Sequence, residues 1–205
     1  MNKPVAIRPW FLLFTALTFS GLASVLFFNE KLLAKTDSQG MERLFSSMGV
    51  IKVPPTKDPV KINLKDLNGN NINLSDFHGK IVFLNFWTTW CPTCRIEMPS
   101  MEKLYQKLKN KDFAMVTINL QESASQVKAF FEEFKLTFTV LLDSNGEVGA
   151  SFGIRAIPTT YILDKTNRII GLVNGPREWD SKEAIALFEN LIDNDADAAT
   201  RKAAN

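Results

Sequence analysis

Seven residues, Ile81-Val82-Phe83-Leu84-Asn85-Phe86-Trp87, run almost without a polar side chain, and the chain places both of its cysteines just beyond them, as Cys91-Pro92-Thr93-Cys94. A continuous apolar run of this length, rich in β-branched and aromatic residues, predicts a central strand covered on both faces. Glu97, Met101, Leu104 and Leu108 then recur at helical spacing. Pro92, one residue after Cys91, suits a first helical turn, where its missing N–H costs nothing. A buried strand that turns directly into a helix constrains this chain to an α/β arrangement with the two cysteines at the turn.

Three chemistries compete for that pair. A structural disulfide is possible for an exported chain with an even cysteine count. Closing a loop of two intervening residues removes little unfolded-state entropy, however, so a staple is poorly placed here. A metal site needs about four ligands and one C-x-x-C supplies two. The single histidine, His78, lies in Asp-Phe-His-Gly-Lys and reads as a cap on a surface turn, so no metal is expected. The redox reading explains the position. Unpaired N–H groups and the positive end of the helix dipole favour a thiolate at the first cysteine. C-x-x-C thiols in such settings ionise at about 3.5–7.5, against ~8.5 for a free thiol. Cys91 is then the attacking and leaving thiol, and Cys94, one turn deeper, resolves the mixed disulfide.

Upstream, Trp10 to Phe28 runs nineteen residues without a charge. A helix of that length reaches ~28 Å at about 1.5 Å per residue, the thickness of a hydrocarbon core. Lys3 and Arg8 precede it, while Glu30, Lys31 and Lys35 nearly cancel after it, which places residues 1–9 in the cytoplasm and the remainder outside. A cleaved signal peptide is the rival reading, with Gly21-Leu22-Ala23 as its small-x-small site. Cleavage there would leave Val25-Leu26-Phe27-Phe28 at a new N-terminus, which favours an uncleaved anchor over 10–28. Either way the domain is exported. The formal charge is +2, and four basic residues against Glu30 in positions 1–35 account for +3, so the remainder is −1. A near-neutral domain has no electrostatic footprint for nucleic acid.

Residues 29–58 read as a polar stalk with a short amphipathic piece, Met41 to Phe45, stopped by Pro54-Pro55. Alternation at Lys61–Leu64 and Asn71–Leu74 around Leu67-Asn68-Gly69-Asn70 predicts a β-hairpin. Phe113–Leu120 reads as a second central strand, Ser125–Lys135 as a helix buried through Val127, Phe130, Phe131 and Phe134, and Phe138–Leu142 as a strand. A short helix fits Glu147–Phe152, and two strands, Thr159–Leu163 and Arg168–Val173, flank the turn Asp164–Asn167. Ser181 caps a final helix through Ile192, and 193–205 reads as a disordered, alanine-rich tail. The folded domain is placed at 59–192.

Phe86 to Cys94 resembles the active-site signature of the thioredoxin superfamily, with Pro99 five residues past the second cysteine. Gly153-Ile154-Arg155-Ala156-Ile157-Pro158-Thr159 resembles the loop that carries that family's cis-proline. The finer match is to the TlpA/ResA-like subfamily of membrane-anchored extracytoplasmic thiol-disulfide oxidoreductases. The resemblance implies a thioredoxin-like fold, a central mixed sheet flanked by helices, with an added N-terminal hairpin, a strand–helix insertion across about 121–146 and one preceding transmembrane helix. It implies a redox disulfide Cys91–Cys94, a cis Pro158 beside Cys91, and the Ile157 backbone as an edge for an extended substrate. It also implies a single-pass bacterial cytoplasmic-membrane protein with its catalytic domain on the periplasmic side, and no cofactor.

Thioredoxin's buried aspartate falls on Asn85 here, which cannot take up a proton. In ResA-like proteins a glutamate three residues past the second cysteine sits near the thiols, and Glu97 matches it. The apolar stripe, extended back one turn, also lands on Glu97. A desolvated carboxyl there has a raised pKa suited to proton exchange with Cys94. The alternative is a helix glutamate reaching solvent past Pro99, or pairing with Arg95 or Lys103. Trp87 reads as core, Trp90 and Pro92 as the border of a docking surface, and Arg155 as a solvated loop charge.

By this resemblance the partners are exported proteins with a cysteine pair, as in cytochrome c maturation or oxidase assembly, and a membrane electron donor of the CcdA/DsbD type. A thiol peroxidase using Cys91 is the alternative, since Thr88-x-x-Cys91-Pro92-Thr93 resembles the peroxiredoxin motif. That motif's proline is Leu84 here, and Cys94 stands where its glutamate does. A copper chaperone is the non-enzymatic option, but related ones use C-x-x-x-C and a distal histidine.

Overall fold

The computed structural model describes residues 39–203. The transmembrane segment expected at 10–28, the N-terminus before it and the first part of the stalk lie outside the described residues. Among the described residues, no helix is long and apolar enough to cross a membrane.

The described chain opens with α1 (residues 39–47) and a short strand β1 (Ile51–Lys52). The expected hairpin follows as β2 (Asn63–Asp66) and β3 (Asn71–Asn73), paired antiparallel with Leu64 opposite Ile72. Next come β4 (Ile81–Trp87), α2 (Pro92–Leu108), β5 (Phe113–Leu120), α3 (Ala124–Phe134) and β6 (Thr139–Asp143). The chain ends with α4 (Glu147–Ser151), β7 (Thr159–Leu163), β8 (Ile169–Asn174) and α5 (Lys182–Ala203). One mixed sheet runs in the order β1-β8-β7-β4-β5-β6-β2-β3.

Each central strand was legible because it is covered twice. All seven residues of β4 are buried, between parallel β5 and antiparallel β7. Its alternate side chains feed two layers. Val82, Leu84 and Phe86 join Val116, Ile118 and Leu141 in one, where Phe86 packs 5.0 Å from Phe152. Phe83, Asn85 and Trp87 face the other. There Phe83 meets Trp179 edge-on at 4.7 Å and Phe188 of α5 at 5.7 Å, and Trp87 packs 4.9 Å from Phe130 of α3. Trp87 is therefore core, as expected. The expected insertion is present: α3 crosses over and β6 lies parallel to β5, with Val116 opposite Thr139.

Two expected boundaries are corrected. The stalk was read to residue 58, but the chain belongs to the folded unit from Arg43. Phe45, Met48 and Val50 are buried, and β1 pairs with β8, Ile51 opposite Leu172. Gly171 makes room for this arm, since a Cβ built there would stand 2.9 Å from Val50 Cγ1. A two-residue strand is too short for a periodic signal, which is why the arm read as linker. The last helix was expected to stop at Ile192, with a disordered tail beyond it. It runs to Ala203 instead. No glycine or proline interrupts 182–203, and alanine has the highest intrinsic helix propensity, so nothing in the sequence ends the helix at 192.

Candidate active site

Both cysteines sit at the carboxyl end of β4, joined as a disulfide with Cα atoms 5.3 Å apart. Cys91 is the N-cap residue of α2, with extended backbone (φ −77°, ψ 112°), and Pro92 takes the first helical position. In place of a hydroxyl or carboxylate cap, Cys91 Sγ accepts the Cys94 N–H at 3.2 Å. Thr93 Oγ1 lies 3.3 Å from the same sulfur. In the dithiol form these contacts and the helix's unpaired N–H groups would stabilise a thiolate on Cys91 more than on Cys94, which lies a turn deeper with no exposed surface.

The residues expected around the pair fall into two groups. Trp90 and Pro92 are exposed, Trp90 by 69%, and flank Cys91. On the other side, the Ile157–Pro158 bond is cis, Pro158 is buried, and the Ile157 carbonyl oxygen lies 3.8 Å from Cys91 Sγ. Arg155 is exposed, as read. His78 follows the turn of 3-10 helix over Leu74–Phe77 as its C-cap.

Glu97 lies beneath the disulfide on the buried face of α2, one turn after Cys94 and only 1% exposed. Its Oε1 accepts Asn85 Nδ2 at 3.1 Å, and its Oε2 accepts Trp179 Nε1 at 3.0 Å and the Arg177 N–H at 3.4 Å. Asn85 also donates to Thr160 Oγ1 at 2.9 Å. Burial pushes the Glu97 carboxyl from an ordinary value of 4.5 up to about 7, outweighing those three donors. The alternative of an exposed, ion-paired glutamate does not hold. Arg95 pairs with Glu133 at 3.0 Å and Lys103 with Asp180 at 2.8 Å.

Three site residues escaped the sequence reading. Trp179 and Arg177 reach Glu97 from the loop before α5; the only signal was a large aromatic stranded in the polar run Pro176-Arg177-Glu178-Trp179-Asp180. The third is Glu122, just past β5 and 8% exposed. It accepts Thr89 N–H at 2.7 Å, Thr89 Oγ1 at 2.5 Å and Asn119 Nδ2 at 2.6 Å. Its position at the carboxyl end of parallel strands, where α/β sites gather, was the signal available. Arg95 completes the bracket, donating to the Thr89 carbonyl at 3.3 Å while lying over the Phe130 and Phe134 rings. The segment that presents Trp90 is thus held at both ends of one residue, Thr89.

A sulfur capping a helix tip, a second sulfur enclosed behind it and a buried carboxyl of raised proton affinity can carry dithiol–disulfide exchange. Known proteins agree. The Redoxin family profile matches residues 52–187. The thiol-disulfide oxidoreductase ResA of Bacillus cereus is 37% identical over 127 residues, which cover 62% of this chain and 73% of that protein. Among solved structures, StoA from Bacillus subtilis superposes with a TM-score of 0.55 at 29% identity, covering 64% of this chain and 99% of its own. A secreted thiol-disulfide isomerase from Corynebacterium glutamicum gives 0.62 at 28% identity, covering 70% and 92%.

Proposed function

The chain belongs to the Redoxin family and is a thiol-disulfide oxidoreductase with a thioredoxin-like fold, and we propose that it reduces disulfides in exported proteins from an anchored position outside the cytoplasmic membrane. The observation that carries this reading is the different setting of the two sulfurs: Cys91 caps the helix tip between exposed Trp90 and Pro92 with 3% of its surface open, while Cys94 has none.

In the reaction, the Cys91 thiolate attacks one sulfur of the substrate disulfide and expels the other as a thiolate. Cys94 then attacks Cys91 Sγ, releasing the second substrate sulfur and forming the Cys91–Cys94 disulfide. Two electrons pass to the substrate, which leaves as a dithiol. Glu97, as carboxylate, takes the Cys94 proton, so its raised proton affinity serves the resolving step. The extended substrate lies along the Ile157 backbone, with Pro158 as the floor and Trp90 as the opposite wall.

A cysteine pair in an apo-cytochrome or an oxidase-assembly protein is the proposed substrate, and a membrane electron donor of the CcdA/DsbD type returns the enzyme to the dithiol. The expected membrane span at 10–28 and its charge asymmetry support this placement. The test is the equilibrium reduction potential against glutathione, together with Cys91→Ser. A potential near ~−270 mV and loss of disulfide reduction in the variant are expected; a potential near ~−120 mV would make the protein an oxidant instead.

A further inference from the structure

The loop that reaches Glu97 is itself held from a part of the chain with no role in the reaction described so far. Arg177 sits in that loop with its two ends engaged in opposite directions. Its backbone N–H points to Glu97 Oε2 at 3.4 Å, while its side-chain Nε donates to the Met48 carbonyl at 2.9 Å. The guanidinium is also bound to the loop's own backbone, through Nη1 to the carbonyls of Pro176 at 2.8 Å and Asn174 at 3.3 Å. The arm accommodates it closely. Gly49 has φ +60°, and a Cβ built there would stand 2.8 Å from Arg177 Nη2. The arm is anchored in turn by Phe45, Met48 and Val50, all buried.

From the far end, the same loop is tied to the rest of the site. Gly175 N–H donates to the Pro158 carbonyl at 2.9 Å. Ser100 Oγ on α2 accepts the Trp179 N–H at 3.1 Å and donates to the Glu97 carbonyl at 2.8 Å. Trp179 Nε1 completes the set on Glu97 Oε2.

We propose that the N-terminal arm, residues 45–50, is a working part of the redox site: through Arg177 it holds the loop that supplies two of the three hydrogen-bond donors to Glu97. Arg177 is a positioning residue for that carboxyl, and Gly49 is the cradle that lets it act. This rests on the reading of Glu97 as the proton-accepting group. Among the described residues the charged group beside Glu97 is Arg177 from the loop; Cys94 on its own helix is held in the disulfide, and β4 contributes neutral Asn85, itself bonded to Thr160 of β7. The Arg177 N–H and its charge both favour the carboxylate, opposing the desolvation that raises the proton affinity of Glu97. Loosening the arm therefore raises that affinity further.

The experiment titrates Glu97 in the full-length oxidised protein, by the infrared carbonyl band of its protonated carboxyl, identified by its loss in Glu97→Gln. Arg177→Met removes the clamp; Gly49→Ala leaves the arginine in place but fills its cradle. Lys103→Met breaks the Lys103–Asp180 pair on the same loop and serves as the control. The expected result is a Glu97 midpoint raised by about one unit in Arg177→Met and about half a unit in Gly49→Ala, with the control unmoved. A rise in Gly49→Ala, which keeps the arginine's charge, with the control unmoved supports the proposal; a rise confined to Arg177→Met overturns the arm's part in it, since loss of that charge raises the midpoint by itself. Unmoved midpoints, or a control that shifts equally, overturn it. Activity is judged separately: if Glu97→Gln reduces disulfides at the wild-type rate, the proton-accepting role fails while the clamp stands.

Discussion

The indole of Trp179 donates to the Glu97 carboxylate at 3.0 Å, across eighty-two positions of sequence. That bond helps enclose the carboxyl between β4, α2 and the loop before α5, in surroundings that leave Glu97 almost no exposed surface. There, loss of hydration outweighs three hydrogen-bond donors, and the carboxyl titrates near 7 in place of 4.5. A group so placed holds a proton on some molecules and not on others at neutral pH, which is what exchange with a neighbouring thiol demands.

Glu97 makes stability depend on pH with a definite sign. Its folded pKa lies above its unfolded one, so its contribution is full below about 4.5 and disappears as pH rises through about 7. Wild type should therefore lose roughly 3 kcal/mol relative to Glu97→Gln between those limits, at about 1.4 kcal/mol per unit. Urea unfolding of both proteins at intervals from pH 4 to 8 checks this; parallel curves would contradict it.

Trp179→Phe keeps a ring against Phe83 but deletes the N–H donor. The variant should cost about 1 kcal/mol and raise the Glu97 midpoint, because the bond it loses favours the carboxylate. The pH profile of Cys94 alkylation in the reduced protein should move in step.

Glu122→Ala strands the Thr89 N–H and the Asn119 amide without their acceptor, at a cost of about 1–3 kcal/mol. Glu122→Gln retains one acceptor oxygen and should fall between. Because Thr89 carries the segment that presents Trp90, KM for a protein disulfide should rise in both variants, more in the alanine one. Unfolding curves and steady-state kinetics measured side by side test this order.

Trp90 is 69% exposed, so Trp90→Ala should leave stability within about 0.5 kcal/mol. If the indole forms a wall of the docking surface, KM for a protein substrate should rise about tenfold, as for an aromatic anchor. Turnover of a small disulfide should be unchanged. Equal losses on both substrates would place Trp90 in the chemistry instead.

How far the sequence could be read follows from how local each signal is. The strand Phe113–Leu120 came out residue for residue, because burial on both faces writes a continuous apolar run. Cys91, Cys94 and Glu97 were legible together, since one helix carries all three at fixed spacing. Glu97's partners were not. Trp179, Arg177 and Glu122 enter from loops whose conformation no periodicity encodes, and their roles exist only once distant strands are side by side. The arm at 45–50 failed for a related reason: its apolar residues are few, and Gly171, which admits them, lies more than a hundred positions away.

The sheet's margins are β1, of two residues, and β3, of three. Such brief borders offer a visiting chain almost no unpaired amides to template against, and natural sheets use short edge strands to discourage self-association. An oxidoreductase whose substrates are extended polypeptides, as proposed for this one, would risk stitching them onto itself along any long open edge. With rims this brief, such a client would find its backbone partner beside Cys91 instead, at the Ile157 carbonyl.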